Sequence, residues 1–256
     1  MLSYLPAFHA GNLADVHKHA ALAWMLDAMA AKPKAMAYLE SHAGRGLYDL
    51  ASAEAMRTGE AARGIGRAAA WFPEGDPYAR ALAWTRARHG EGAYPGSPLI
   101  AAALLRPGDP MTLAELHPRE HEALAALLGG RARVERRDGL EMAQALAPPT
   151  PRRGVLVVDP SWEVKAEYEA VPEALARVRR KWNVGVLLLW YPLVDDRHEG
   201  MVRALSTAFP EGLRHEVRFP PARKGHGLSG SGLFVVNPPW GLDGRLAWLA
   251  ARFASL

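Results

Sequence analysis

The sequence contains no cysteine in its 256 residues, and this absence removes several kinds of chemistry. Without thiols the chain has no disulfide, no thiolate nucleophile and no cysteine-ligated zinc site. The histidines do not suggest a metal site either, because His17 and His19 are two residues apart and cannot share one face of a helix. We therefore expect a reducing compartment and no bound metal.

Long apolar runs are also missing. The longest, around Val184 to Trp190, is far shorter than the roughly 20 residues of a membrane span and suits a buried strand. The first 19 residues lack the basic start and apolar centre of a signal peptide. We expect a cytoplasmic protein with no membrane partner.

Neither sign of charge dominates the chain. It has 31 basic and 27 acidic residues, a net charge of +4 and a pI near 9.5. This balance permits an anionic partner such as nucleic acid, although most interspersed charges simply form a solvated surface. The basic clusters that suggest phosphate contacts are Arg177, Arg179, Arg180 and Lys181, then Arg152 with Arg153, and Arg223 with Lys224.

Seven short apolar segments have the pattern of strands. They are residues 35–40, 111–116, 131–135, 155–158, 184–190, 213–219 and 232–236. Helical patterns cover residues 15–31, 118–128, 140–147, 164–181 and 195–208. Strands that alternate with helices in this way indicate a parallel, doubly wound α/β sheet.

Two stretches interrupt the alternation. Residues 47–93 are too long for one crossover and are predicted to be an inserted, mostly helical subdomain between the parts formed by residues 1–46 and 94–256. Its aromatic residues Trp71, Phe72 and Trp84 are expected in its core. Residues 220–231 show no helical pattern, so the last two strands should pair as an antiparallel hairpin. A parallel sheet finished by an antiparallel seventh strand is the architecture of class I methyltransferases.

A glycine-containing turn follows the first strand at residues 40–46, where Glu40 leads into Gly44 and Gly46. Such a turn lets the backbone approach a ligand closely in doubly wound folds. A dinucleotide fingerprint would need a third glycine at position 49, which is Asp49. NAD and FAD are therefore disfavoured, and a plain strand-to-helix turn is an equally good interpretation of this segment alone.

Carboxylates follow the next two predicted strands. Glu115 ends the second strand, where it can accept both hydroxyls of a ribose. Asp138, followed by Gly139, comes after the third, where an acid can hydrogen-bond the amino group of an adenine. By itself Asp138 is better explained as the N-cap of the following helix. The three turns share the carboxyl edge of the sheet, where ligands bind.

The most specific motif is Asp159-Pro160-Ser161-Trp162, directly after a buried strand. Amino methyltransferases have Asp or Asn, then Pro-Pro and an aromatic residue, at this place. The Asp159 carboxylate and the Pro160 carbonyl can accept the two hydrogens of an adenine amine, and Trp162 can stack on the extruded base. A buried strand that closes in an ordinary turn remains an alternative.

A second copy of this motif, Asn237-Pro238-Pro239-Trp240, follows the last strand. It is formally the closer match, but the fold requires the catalytic motif on strand four, beside strand one. We interpret it as a structural turn. Two other segments receive structural interpretations: the polar residues before the first helix as a surface helix start, and Ser97-Pro98 as a helix entry with Ser97 as N-cap.

In this order the segments resemble the ribosomal RNA large subunit methyltransferase J family. The matching stretches are residues 1–4, 8–15, 42–46, 57–60, 94–100, 115–118, 138–139, 159–160, 190–192, 229–230 and 237–240, which run nearly from end to end. The resemblance implies a class I (Rossmann-like) methyltransferase with a seven-stranded mixed sheet and an inserted helical subdomain. It also implies transfer of a methyl group from S-adenosylmethionine to N6 of adenine 2030 in 23S rRNA, before or during subunit assembly.

The resemblance also implies roles for individual residues. Asp159, with Pro160 and Trp162, would act in catalysis, whereas Tyr4 and Lys18 would contact the target base or its surroundings. The implied cofactor contacts are His19, His42, Ser97, Glu115, Asp138 and Gly139.

Three departures from the family pattern affect details of base docking. Leu5-Pro6 replaces basic residues after Tyr4, His17 replaces the usual Leu, and Ser161 replaces a second proline. Two rival functions stay open. A DNA adenine methyltransferase could use the same site, but the chain lacks a large basic recognition domain. A non-catalytic nucleic-acid-binding protein is the other, although an intact Asp159 argues against it.

Overall fold

A computed structural model describes residues 8–194, 196–221 and 228–256. The strands are β1 (Ala37–Glu40), β2 (Leu47–Asp49), β3 (Ala93–Pro95), β4 (Met111–Ala114), β5 (Arg133–Glu135), β6 (Gly154–Val158), β7 (Val186–Leu193), β8 (Leu213–Arg218) and β9 (Gly230–Val236). The helices are α1 (Leu13–Ala30), α2 (Ala53–Thr58), α3 (Glu60–Arg63), α4 (Ile65–Ala68), α5 (Pro77–His89), α6 (Ser97–Leu104), α7 (Pro118–Leu128), α8 (Gly139–Leu146), α9 (Glu167–Lys181), α10 (Arg197–Ala208) and α11 (Leu242–Ala254).

Seven of the described strands form one mixed sheet in the order β5-β4-β1-β6-β7-β9-β8. Neighbours from β5 to β7 pair in parallel, whereas β9 pairs antiparallel with both β7 and β8. Every residue of β6 is buried, as expected for a strand covered by helices on both faces. The predicted seven-stranded α/β sheet and its terminal antiparallel hairpin are confirmed.

Helix α1 is buried on most of its surface. Asn12 caps its amino end by accepting a hydrogen bond from the Asp15 amide at 2.9 Å. The helix packs against α5, α6, α11 and β9, so little of it meets water. The expected surface helix start is therefore wrong, because His17, Lys18 and His19 are only 0%, 8% and 2% exposed.

Residues between β1 and β4 contain helices α2 to α5, in agreement with the mostly helical character predicted for residues 47–93. Two short strands that sequence patterns did not predict, β2 and β3, pair antiparallel at the base of this stretch. Buried Ile65 and Phe72 share one hydrophobic cluster with Leu22 of α1. The half-buried Trp71 and Trp84 pack against the same cluster. The division of the chain at residues 46 and 94 stays a prediction.

The predicted N-cap role of Ser97 is wrong. The N-cap of α6 is Gly96, and the Ser97 hydroxyl donates to the Glu40 carboxylate instead. Helix α11 also had no counterpart among the sequence-based predictions. No helix in the described ranges is long and apolar enough to cross a membrane.

The turn that begins at Asn237 lies far from the carboxyl ends of the parallel strands. Because β9 runs antiparallel, its last residue, Val236, pairs with Leu187 near the start of β7. The Asn237 side chain donates to the carbonyls of Asn183 and Gly185 at 3.0 and 2.8 Å. These bonds hold a turn with φ of 52° at Asn237, which agrees with its interpretation as structural.

Candidate active site

A cavity of about 650 Å³ opens at the carboxyl ends of the parallel strands. This volume lies within the range typical of small-molecule sites. Its lining includes these sequence-predicted residues: Lys18, His19, His42, Ser97, Glu115, Asp138, Gly139, Asp159, Pro160 and Trp162. The structure therefore brings ten predicted residues together, while Tyr4 lies outside the described residues.

The Asp159-Pro160 turn contacts helix α1 at the cavity wall. Lys18 Nζ donates to Asp159 Oδ2 at 2.5 Å and lies 3.2 Å from Asp15 Oδ1. The side chains of Lys18 and Asp159 are only 10% and 15% exposed, so solvent screens their contact weakly. One buried ammonium therefore contacts two carboxylates. The sequence analysis did not predict that Asp15 belongs to the site.

The pKa values of the two carboxyl groups that contact Lys18 are shifted in opposite directions. Burial raises the pKa of Asp159, and the nearby Lys18 ammonium only partly opposes this effect. Burial acts in the same direction on Asp15, but the Lys18 ammonium and the hydrogen bond from the Gly11 amide oppose it, and the pKa of Asp15 lies below the usual value. Asp159 is therefore the more readily protonated member of the pair.

Glu115 is held in a fixed orientation by the backbone. Its Oε2 accepts from the Gly44 amide at 2.8 Å, and its Oε1 accepts from the His117 amide at 2.8 Å. Gly44 has φ of 59°, a left-handed conformation that glycine adopts without steric cost. The glycine turn after β1 thus positions the carboxylate after β4, and the remaining lone pairs of Glu115 can accept from a ligand.

Asp138 caps α8 by accepting from the Glu141 amide at 2.8 Å, so its N-cap prediction is confirmed. It also lines the cavity, and an N-cap carboxylate keeps acceptor capacity for a ligand. The next residue, Gly139, approaches the loop after β1 so closely that an added Cβ would lie 1.7 Å from the Ser41 carbonyl oxygen. A glycine is required here by packing.

His42 and His19 line the cavity as neutral rings. Burial lowers the pKa of His42 to about 4, although Asp138 acts in the opposite direction. Burial also lowers the pKa of His19 to about 3, and its Nδ1 hydrogen-bonds the Tyr94 hydroxyl at 2.9 Å. His17 points elsewhere, toward Ser231, as expected for residues two apart on a helix.

Glu40 is a buried carboxyl group that sequence analysis noted only as part of a turn. It is fully buried, accepts from Tyr38 Oη at 2.8 Å, and also accepts from the Ser97 hydroxyl. Burial raises its pKa to about 8, against the opposing effect of both hydrogen bonds. Glu40 thereby fixes the rotamer of Ser97, which lines the cavity.

Two tryptophans contribute to the cavity wall. Trp162 has φ of 59°, is 5% exposed, and packs its ring 4.8 Å from that of Tyr168. Trp190, which sequence patterns did not single out, lies with its ring centroid 5.5 Å from Lys18 Nζ. The wall near Asp159 is therefore aromatic, whereas the opposite wall carries Glu115 and Asp138.

The cavity brings together three carboxylates that follow parallel strands of the sheet. Glu115 and Asp138 follow neighbouring parallel strands and can accept from hydroxyl and amino groups. Asp159 follows β6 and can accept from an amine beside them. No group of three or more potential metal ligands of the His, Asp or Glu type is assembled in the described ranges.

Comparison with known proteins identifies the family. Residues 33–255 match the family model described as Ribosomal RNA large subunit methyltransferase D, RlmJ. The chain is 37% identical to Ribosomal RNA large subunit methyltransferase J of Escherichia coli strain K12, over 98% of this chain and 94% of that protein. It is 35% identical to the protein of the same name from Haemophilus influenzae, over 96% and 90% of the two chains.

Solved structures agree on the fold. A crystal structure of a protein from Legionella pneumophila superimposes with a TM-score of 0.86 and 31% identity, over 96% of this chain and 93% of that one. A SAM-dependent methyltransferase from Agrobacterium tumefaciens, 13% identical, shares the fold with a TM-score of 0.50 over 87% of this chain and 62% of that one. The chain has the Rossmann-like methyltransferase fold and belongs to the RlmJ family of ribosomal RNA large subunit methyltransferases.

Proposed function

We propose that this chain transfers a methyl group from S-adenosylmethionine to N6 of adenine 2030 in 23S rRNA. The observation that carries the proposal is the Asp159-Pro160 turn in one cavity with Glu115 and Asp138. Family membership and the relatives' shared name support an RNA methyltransferase that acts on the large ribosomal subunit.

The residues of the inner wall fit the cofactor. Glu115 is oriented by two amides so that its free lone pairs accept the ribose hydroxyls. Asp138 would accept a hydrogen bond from the amino group of the cofactor adenine, and Ser97 and His19, which line the same cavity, would contact the cofactor too. Gly139 and His42 complete this wall. When bound, the cofactor supplies an electrophilic methyl group on a positively charged sulfur.

The target amine is held by two acceptors on one turn. An adenine N6 lone pair is delocalised into the ring, which makes it a poor nucleophile. Asp159 and the Pro160 carbonyl accept its two hydrogens and favour a more pyramidal nitrogen. They also stabilise the positive charge that grows on this nitrogen during transfer. The remaining contribution to catalysis is the alignment of the amine nitrogen with the methyl group of the cofactor.

Lys18 and the aromatic wall orient these acceptors and the base. Lys18 binds Oδ2 of Asp159 and leaves Oδ1 to accept from the amine. Trp162 and Trp190 line the wall beside which the extruded base is placed. Tyr4, which lies outside the described residues, remains a proposed contact of the base.

The proposed substrate is an RNA strand from which one base can leave its stack. The side chains of Lys18 and Asp159 are 10% and 15% exposed inside a cavity, so an adenine must leave its stack to reach Asp159. Protein-free 23S rRNA or an early assembly intermediate offers such a base more readily than a finished subunit. We place the reaction in the cytoplasm, where subunits are assembled.

The test is methyl transfer from labelled S-adenosylmethionine to unmodified 23S rRNA, with the product mapped by mass spectrometry. We expect one N6-methyladenine at position 2030. Duplex DNA in parallel should receive no label, and labelling of DNA alone would establish the DNA adenine methyltransferase instead. Lack of cofactor binding in calorimetry would favour a non-catalytic protein on the same scaffold.

A further inference from the structure

The cavity has a charged mouth that differs from its interior. Among the described residues that line it, the exposed charged side chains are Arg63, Arg67, Arg197 and Asp138. Asp138 caps α8 and belongs to the proposed cofactor wall. The other exposed charged side chains of the lining are all arginines.

Two acidic groups within the same lining are paired with basic side chains of the chain. Glu60 is 6% exposed and binds His9 at 3.0 Å. Glu120 is 7% exposed and forms a two-pronged ion pair with Arg45 at 2.8 and 2.9 Å. Glu115 and Glu167 also line the cavity but are only half-buried, whereas the arginines are exposed, so the most exposed charges at the mouth beyond Asp138 are guanidinium groups.

The backbone that carries Arg63 and Arg67 is attached firmly to the start of α1, and their guanidinium groups donate to the carbonyls of Thr58 and Leu256 at 2.8 and 3.2 Å. The Ile65 amide donates to the Gly11 carbonyl at 2.8 Å, and the Asn12 side chain donates to Glu60 at 3.2 Å. An added Cβ at Gly64, between the two arginine-bearing turns, would lie 2.1 Å from the Gly11 oxygen. The backbone that carries these arginines is thus fixed relative to the helix that carries Lys18.

Arg197 lies at the mouth on the side of the Asp159 turn, whereas Arg63 and Arg67 lie on the side of α1. Arg197 begins α10, and its guanidinium lies 6.0 Å from the ring centroid of Tyr168. That ring packs on Trp162, which ends the Asp159 turn. Exposed arginines therefore flank both segments that meet at the reacting carboxylate.

The basic clusters that sequence analysis singled out lie at the other end of the sheet. Trp182, after the end of α9, donates to the Arg152 carbonyl just before β6 begins. Arg179 contacts Asn237, at the amino-end side of β7. Arg223 and Lys224 lie outside the described residues. An RNA whose base enters the cavity cannot use the clusters at the opposite end for its neighbouring phosphates.

We propose that Arg63, Arg67 and Arg197 form a phosphate-binding rim that grips the RNA backbone next to the extruded adenine. Guanidinium groups bind phosphate through paired hydrogen bonds and position a strand without reading its sequence. This inference rests on the proposed function, since it assumes that the cavity receives a base from RNA.

The test uses two charge-reversed variants of the rim: the double variant Arg63→Glu with Arg67→Glu, and the single variant Arg197→Glu. The control is Arg180→Glu. Arg180 is also exposed but sits on the distal end of α9. Binding of an unmodified single-stranded RNA probe is measured by fluorescence anisotropy across a salt series. Cofactor binding is measured by calorimetry, and the charge-retaining pair Arg63→Lys and Arg67→Lys is included.

We expect each rim variant to bind RNA at least tenfold more weakly and with a flatter dependence of log affinity on log salt. The slope should fall by roughly 0.7 for each phosphate that the variant no longer binds. Arg180→Glu should stay close to the unaltered protein. The lysine pair keeps the charges but not the paired hydrogen bonds, so its RNA affinity should fall less than that of the double Glu variant while its salt slope stays near that of the unaltered protein. All variants should bind the cofactor equally. Rim variants with unchanged RNA affinity and salt slope would overturn the proposal. Failure of the unaltered protein to methylate RNA would instead contradict the proposed function.

Discussion

Lys18 and Asp159 form an ion pair at 2.5 Å in the cavity wall, although 141 residues separate them in the chain. The contact joins the buried helix α1 to the turn that follows the central strand β6. Because the pair is nearly buried, its charges interact strongly. Removal of either side chain should therefore shift the pKa of the other.

Replacement of Lys18 should alter the pH dependence of the reaction. Burial already raises the pKa of Asp159, and the Lys18 ammonium opposes that rise. In Lys18→Met the pKa of Asp159 should rise further. The acceptor must be ionised, so activity falls as pH falls through this pKa, and the acid limb of kcat/KM should move to higher pH.

Lys18→Arg keeps the positive charge and provides the matched control, whose acid limb should stay near that of the unaltered protein. Asp15 shares the same ammonium and also loses its partner in Lys18→Met. If the limb does not move in Lys18→Met, Asp159 is not the group whose ionisation limits the rate.

Glu40 should make stability depend on pH in an unusual direction. Its pKa is about 8 in the folded chain and near the ordinary value of 4.5 when unfolded. Between these values the folded state binds more protons, so stability is greatest at low pH and falls as pH rises. Glu40→Gln should remove this loss. Between pH 4.5 and 8 the free energy of unfolding of the variant should therefore rise, relative to that of the unaltered protein, by about 1.4 kcal/mol per pH unit.

Urea unfolding at several pH values between 5 and 8 measures the difference, with exposed Glu169→Gln as control. Parallel pH dependences for Glu40→Gln and the unaltered protein would show that Glu40 ionises normally within the fold.

Gly139→Ala should damage both stability and cofactor binding. A Cβ at this position would collide with the Ser41 carbonyl oxygen at 1.7 Å, so the start of α8 must move away from the loop after β1. Overpacking of this kind costs about 1–3 kcal/mol. Gly130→Ala is the control, because nothing lies within 4 Å of its added Cβ. Equal melting temperatures for the two variants would contradict the close approach.

Glu115→Gln should weaken cofactor binding about tenfold, which corresponds to the loss of roughly one charged hydrogen bond. A glutamine has one acceptor oxygen and cannot accept from both Gly44 and His117 as the carboxylate does. Titration calorimetry compares it with Glu122→Gln on the exposed surface of α7. Unchanged affinity in Glu115→Gln would remove this residue from the cofactor wall.

The sequence predicts the parts of the site that depend on strand order. Glu115, Asp138 and Asp159 follow parallel strands, and the carboxyl ends of such strands meet at one edge of the sheet. The local motif at Asp159 and the antiparallel final hairpin were predictable for a different reason, because each depends on residues close together in the chain.

Parts that depend on packing were not predictable. The Asp15–Lys18 pair looks like an ordinary helix start until α5, α6 and α11 cover α1. Ser97 has the pattern of an N-cap, but Glu40 captures its hydroxyl, and no local pattern reveals that partner. The strands β2 and β3 contain only three residues each, too few for a periodic signal.

The most direct measurement is single-turnover methyl transfer to 23S rRNA by Asp159→Ala, beside its cofactor affinity. We predict a rate at least roughly 100-fold lower with cofactor binding nearly unchanged, because the variant lacks an acceptor for the amine while the inner wall is intact. Asp159→Asn, whose amide oxygen can still accept, should retain part of the rate. An Asp159→Ala protein as fast as the unaltered one would contradict the account.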